Sequence, residues 1–124
     1  SYVFMDSTYR KLRGSEFACA LTILATVISR PVPERVVVNT GYKSITQEFG
    51  MPAVKDTQDA QVYHLSEEHG LIRANPESKI EVGDKLELIP SHCCTTVNLH
   101  DQYYGVRNDR LEVVWPVSAR GKSQ

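Results

Sequence analysis

His92 and Cys94 stand one residue apart in the stretch IPSHCCTTVNLHD, residues 89–101. An imidazole and a thiolate are both good ligands for zinc, at about 2.0–2.1 and 2.3 Å. Residues two apart on an extended chain point to the same side, so His92 and Cys94 are expected to converge while Cys93 turns toward packing. Two ligands do not complete a structural zinc site, which wants four. They leave positions for water, substrate or groups from another domain, as a catalytic metal requires. His100, a few residues on, is a weaker third candidate. The competing reading is plain packing, because cysteine is among the most buried residue types. Spacing alone leaves both readings open.

Other polar groups could do chemistry. Glu67, Glu68 and His69 in SEEHGLI could act as acid, base or ligands, and equally fit a solvated turn between two strands. His64 falls in an alternating segment and is expected to face solvent. Lys43 in NTGYKSI could bind an anion or be an ordinary surface lysine. The sequence has no G-x-S-x-G, no G-x-x-x-x-G-K-[ST] and no G-x-G-x-x-G.

The elements that must position these groups are mostly strands. SYVFM (1–5) reads as a strand. FACALTILATVISR (17–30) fits a long strand or a buried helix; its β-branched residues and the Pro31–Pro33 stop favour the strand. RPVPE (30–34) is a turn, and ERVVVNT (34–40) is the returning strand. Residues 41–50 suggest one helical turn ended by Gly50. DAQVYHLSEEHGLIRA (59–74) reads as strand, tight turn, strand. Gly83–Asp84 is a turn before the strand at 85–89. TTVNLHD (95–101) suggests a short helix capped by Thr95 or Thr96. QYYGVR and LEVVWPV, flanking NDR, make a final hairpin. Some eight short strands with recurring turns define a mainly β chain, an antiparallel barrel or sandwich-like domain with one or two short helices.

The 124 residues fit a single domain. A net charge of −1 with scattered Lys and Arg argues against nucleic acid or an anionic membrane as partner. No apolar run reaches the roughly 18 residues of a membrane helix. Three cysteines, two adjacent, suit free thiols in a reducing, cytoplasmic setting better than a disulfide framework. A start already strand-like, SYVFMD, suggests a piece of a longer polypeptide.

GYKSITQEFGMP, LSEEHGLI, VGDKLELIPSHCCTTVNLHDQYYGVR and LEVVWPVSARG occur in this order. Together they resemble the C-terminal domain of the D-threonine aldolase and D-serine dehydratase family, pyridoxal-phosphate enzymes of the alanine-racemase fold type. SYVFMDSTY resembles that family's entry into the domain. The resemblance covers essentially residues 1–124. It implies a parent with an N-terminal (β/α) barrel that carries pyridoxal phosphate on a lysine. The C-terminal domain would supply an H-x-C or H-x-D pair for zinc or another divalent metal, here His92 and Cys94. Because the aldolase branch typically has Asp second, Cys94 leans toward the dehydratase branch or an uncharacterised relative. The implied function is a lyase for β-hydroxy D-amino acids, by D-serine dehydration or D-threonine retro-aldol cleavage. The implied partners are the domain's own barrel, the D-amino acid substrate and a second subunit in a homodimer. This chain holds no candidate cofactor lysine, so it is expected to be inactive alone. An amino-acid racemase relative with a vestigial metal site and a non-enzymatic β-barrel module are the alternatives.

Overall fold

The computed structural model describes residues 3–14 and 16–122. Ten elements follow in order: α1 (Ser7–Arg13), β1 (Ile23–Val32), β2 (Arg35–Val38), β3 (Ala53–Val54), β4 (Ala60–Leu65), β5 (Gly70–Ala74), β6 (Lys85–Ile89), α2 (Cys93–Val97), β7 (Gln102–Arg107) and β8 (Arg110–Pro116). The first six strands close into an antiparallel barrel in the order β1-β2-β5-β4-β3-β6, while β7 and β8 form a separate hairpin.

Period-2 alternation fills the barrel. Ala25 and Val27, Val36 and Val38, Ala60 and Val62, and Ile72 and Ala74 all point inward, joined by Leu88 and Ile45. Strict alternation from Val62 would send His64 inward. A register shift between Val62 and His64 takes up the extra residue, so Leu65 is buried and His64 exposed, as its sequence context suggests. The strand β1 runs through Pro31 to Val32 instead of stopping before it. A register irregularity between Ser29 and Val32 accommodates a residue that has no N–H for the ladder, and the turn contracts to Pro33–Glu34. Beside it, the Arg30 guanidinium donates to the carbonyl oxygens of Pro33, Asn75, Pro76, Ser78 and Ile80, tying the 75–80 loop to the barrel.

Three expectations need correction. The strand over 1–5 is not formed among its described residues: Val3 and Phe4 make a turn, and residues 1–2 lie outside the described set. The chain instead enters α1, whose N-cap Asp6 accepts a hydrogen bond from the Tyr9 N–H at 2.8 Å. Residues 41–50 contain turns but no helix. Their backbone is engaged sideways, with the Tyr42 and Lys43 N–H groups donating to the carbonyls of Ser66 and Glu67. Finally, the helix after β6 covers Cys93–Val97 rather than 95–101, and Thr95 and Thr96 lie inside it.

Candidate metal centre

The strand β6 ends at Ile89, and Pro90 and Ser91 lead into His92, the N-cap of α2. His92 is extended (φ −148°, ψ 131°), but its side chain makes no cap hydrogen bond to the helix. The next residues wind into a single short helix that buries Cys93 and Thr96, three apart on one face. Cys94 and Thr95 are exposed on the other side. The strand geometry that would bring His92 and Cys94 together is therefore absent. They sit at the cap and the second position of a helix. The expected partition survives for a different reason: Cys93 packs inward and Cys94 faces out.

The two thiols differ electrostatically. Burial pushes the Cys93 thiol up to about 11, from an ordinary 9.0. Its Sγ donates a 3.5 Å hydrogen bond to the Met5 carbonyl. Cys93 stays protonated and structural at neutral pH, whereas Cys94 is exposed to solvent. Half-buried Tyr103 lies close by. Burial raises its phenol above the usual value, and both sulfurs add to the push. It remains a neutral hydroxyl, with its ring 5.7 Å from that of Phe4.

His92 is held from two sides. Its Nδ1 lies 3.6 Å from Oδ2 of Asp6. The Phe49 ring meets its ring edge-on, with centroids 5.0 Å apart and planes at 76°. The loop carrying Phe49 is fastened to α2: the Thr46 hydroxyl bonds those of Thr95 and Thr96, and Thr95 Oγ1 donates to the Glu48 carboxylate. Burial opposes ionisation of Glu48. The Thr95 and Thr46 hydrogen bonds and the nearby His92 outweigh it, so the carboxyl stays below its usual range.

The other candidates lie elsewhere. His100 Nε2 is 2.7 Å from the Ser44 carbonyl oxygen, which places it on the backbone of the 41–50 loop. Glu67, Glu68 and His69 are exposed on the β4–β5 turn. Lys43 finds its anion there, with Nζ 2.7 Å from Glu68 and 3.6 Å from Glu67. Among the described residues, no three His, Cys, Asp or Glu side chains converge as a metal cage. The donor set at 92 and 94 still suits zinc: one imidazole and one accessible thiol, with the remaining positions open. Asp6 and Glu48 were missed in the sequence. Asp6 had a readable signal as the N-cap of DSTYRKLR, but nothing local ties it to His92.

A closed six-stranded β-barrel followed by a short helix that carries His92 at its cap and Cys94 in its first turn is the frame in which the comparisons place this chain. The chain belongs to the family described as "Putative serine dehydratase domain", whose model matches residues 20–106. It is similar to 3-hydroxy-D-aspartate aldolase of Paracoccus denitrificans, 41% identical over 130 residues, covering 98% of this chain and 33% of that protein. D-threonine aldolase of Arthrobacter sp is 39% identical over 128 residues, covering 100% of this chain and 34% of that protein. The crystal structure of D-threonine aldolase from Filomicrobium marinum superposes with a TM-score of 0.92 at 33% identity, covering 98% of this chain and 35% of that one. This chain thus spans about a third of the length of the curated relatives it matches. Among the described residues, no helix is long and apolar enough to cross a membrane.

Proposed function

We propose that this chain is the C-terminal domain of a pyridoxal-phosphate- and metal-dependent lyase for β-hydroxy D-amino acids, and that His92 and Cys94 are its metal ligands. The observation that carries the reading is the split between adjacent thiols at the end of β6. One is buried with its proton held, and the other is exposed two residues after a braced imidazole. The relatives named as aldolases of 3-hydroxy-D-aspartate and D-threonine support the substrate class. They favour retro-aldol cleavage. Cys94, at a position where the resemblance leads one to expect Asp in aldolases, favours dehydration.

His92 would offer a neutral ring nitrogen. Cys94 would bind as thiolate, releasing a proton on ligation. Cys93 keeps its proton and holds α2 to Met5. Tyr103 keeps a phenol hydroxyl near the sulfurs, able to donate a hydrogen bond. When bound, zinc or another divalent metal supplies Lewis-acid polarisation of the substrate's β-hydroxyl. Pyridoxal phosphate, on a lysine of the N-terminal barrel, supplies the electron sink for the α-carbon. This domain alone is then inactive. Its partners are that barrel and, in a homodimer, a second subunit. Cysteines outside any disulfide at positions 19, 93 and 94 fit a cytoplasmic enzyme.

The test is to assay the full-length protein and its His92→Ala and Cys94→Ala variants with D-threonine, D-serine and 3-hydroxy-D-aspartate. Glycine plus an aldehyde marks cleavage, and a 2-oxo acid plus ammonia marks dehydration. Both variants should lose metal and activity while the cofactor's visible absorbance stays. Full activity in a metal-free variant would overturn the reading.

A further inference from the structure

We infer that Asp6 is a positioning residue that fixes the ring of His92, with Nδ1 facing a buried carboxylate and Nε2 the nitrogen that would bind the metal. The inference rests on the proposed role of His92 as a ligand. Asp6 is completely buried, and burying a carboxylate is costly unless polar or charged groups compensate. Its two oxygens have separate tasks. Oδ1 accepts the Tyr9 N–H at 2.8 Å and starts α1. Oδ2 stands 3.6 Å from His92 Nδ1, an ion-pair contact a few tenths of an ångström longer than a hydrogen bond.

Two backbone hydrogen bonds and one from a thiol hold Asp6 there. The Ser7 N–H donates to the Pro90 carbonyl at 3.1 Å, two residues before His92. The Cys93 thiol donates to the Met5 carbonyl at 3.5 Å. The Ala20 N–H donates to the Phe4 carbonyl at 2.8 Å, pinning the segment to the approach of β1. Residues on both sides of Asp6 are thus bonded to residues flanking His92. His92 in turn occupies an N-cap position without using its side chain as a cap. Metal-ligating histidines commonly give their second ring N–H to a carboxylate, which fixes the tautomer and raises the basicity of the ligating nitrogen. Losing such a partner costs about 10- to 100-fold in metal affinity.

Asp6→Asn separates this role from helix capping, because asparagine caps about as well as aspartate but removes the charge and replaces one acceptor oxygen with an amide donor. Zinc affinity of the full-length protein is measured by competition with a chromophoric chelator, for the wild type, Asp6→Asn and His92→Ala. Thermal unfolding is followed in parallel. Asp6→Asn should weaken zinc about 10- to 100-fold while the unfolding temperature stays close to wild type. Wild-type zinc affinity in Asp6→Asn, with binding lost in His92→Ala, would overturn the role of Asp6 and keep the ligand reading. Wild-type affinity in His92→Ala would overturn the ligand reading and the inference together. The tautomer gives a second readout that needs no variant. In metal-free wild type at pH 8, ¹⁵N-histidine spectra should show His92 protonated on Nδ1; protonation on Nε2 overturns the inference even if Asp6→Asn fails to fold.

Discussion

Cys93 and Cys94 are neighbours in the chain and opposites in environment. The first lies 1% exposed under the turn at Met5, and burial holds its thiol near 11. The second faces solvent. Reactivity follows the thiolate, so the difference is open to direct measurement. In metal-free native protein at pH 8, iodoacetamide should modify Cys94 within minutes and leave Cys93 unmodified until the protein is denatured. Fragment-ion mass spectrometry, which locates the label within the pair, checks this. Equal labelling of both would mean that α2 does not shield Cys93. At this scale the sequence carried the residue types but not their geometry. His92 and Cys94 stood out as candidate ligands by side-chain chemistry, with plain packing left open until the family resemblance favoured them. Asp6 was not, because its link to His92 depends on the fold of the chain entry against Pro90 and Cys93.

Secondary elements place these groups by tertiary contact more than by propensity. CCTTV is a poor helix-forming sequence, since Cys and Thr rank low. Its single turn forms because Cys93 and Thr96 are buried on one face and Thr46 and Glu48 bond the exposed Thr95 hydroxyl. That explains why sequence reasoning set the helix two residues late and supposed a threonine cap. The helix α1 escaped notice for the opposite reason: STYRKLR buries none of its residues, so it shows no apolar stripe. By contrast, β4, β5, β6 and the β7–β8 hairpin were legible, because alternation and turn chemistry act locally. Asn108 and Asp109 both take the left-handed conformation (φ 50° and 59°) that a two-residue hairpin turn requires. The 41–50 loop owes its path to Gly41. A Cβ there would meet the Ser66 carbonyl oxygen at 2.3 Å and the His69 nitrogen at 2.6 Å. Because these are backbone atoms, Gly41→Ala should destabilise the protein by about 1–3 kcal/mol. Urea unfolding checks it; unchanged stability would show that the loop can move off the β4–β5 turn.

At the scale of the whole molecule, the barrel satisfies its own strand edges and the hairpin does not. β7 and β8 pair only with each other, and Tyr104, Val106, Leu111 and Trp115 remain between 55% and 65% exposed. A lone two-stranded hairpin is marginal in water, and these apolar side chains lie on both of its faces, with Tyr103 opposite Trp115 and Tyr104 opposite Val114. The chain spans about a third of the length of its curated relatives, and under the proposed function the N-terminal barrel domain supplies contacts that steady this hairpin. Hydrogen exchange provides the test. Amides of residues 102–116 should exchange at least about tenfold more slowly in the full-length protein than in this domain alone, a difference of about 1.4 kcal/mol in local stability. Equal rates would leave the hairpin without that partner. The central claim is that this domain brings one nitrogen and one sulfur to a metal whose remaining ligands come from outside it. Zinc K-edge X-ray absorption of the loaded full-length protein tests it most directly. The account predicts one sulfur scatterer at about 2.3 Å and one imidazole nitrogen at about 2.0–2.1 Å, with the sulfur lost in Cys94→Ala and retained in Cys93→Ala. A wild-type spectrum with no sulfur shell would contradict it.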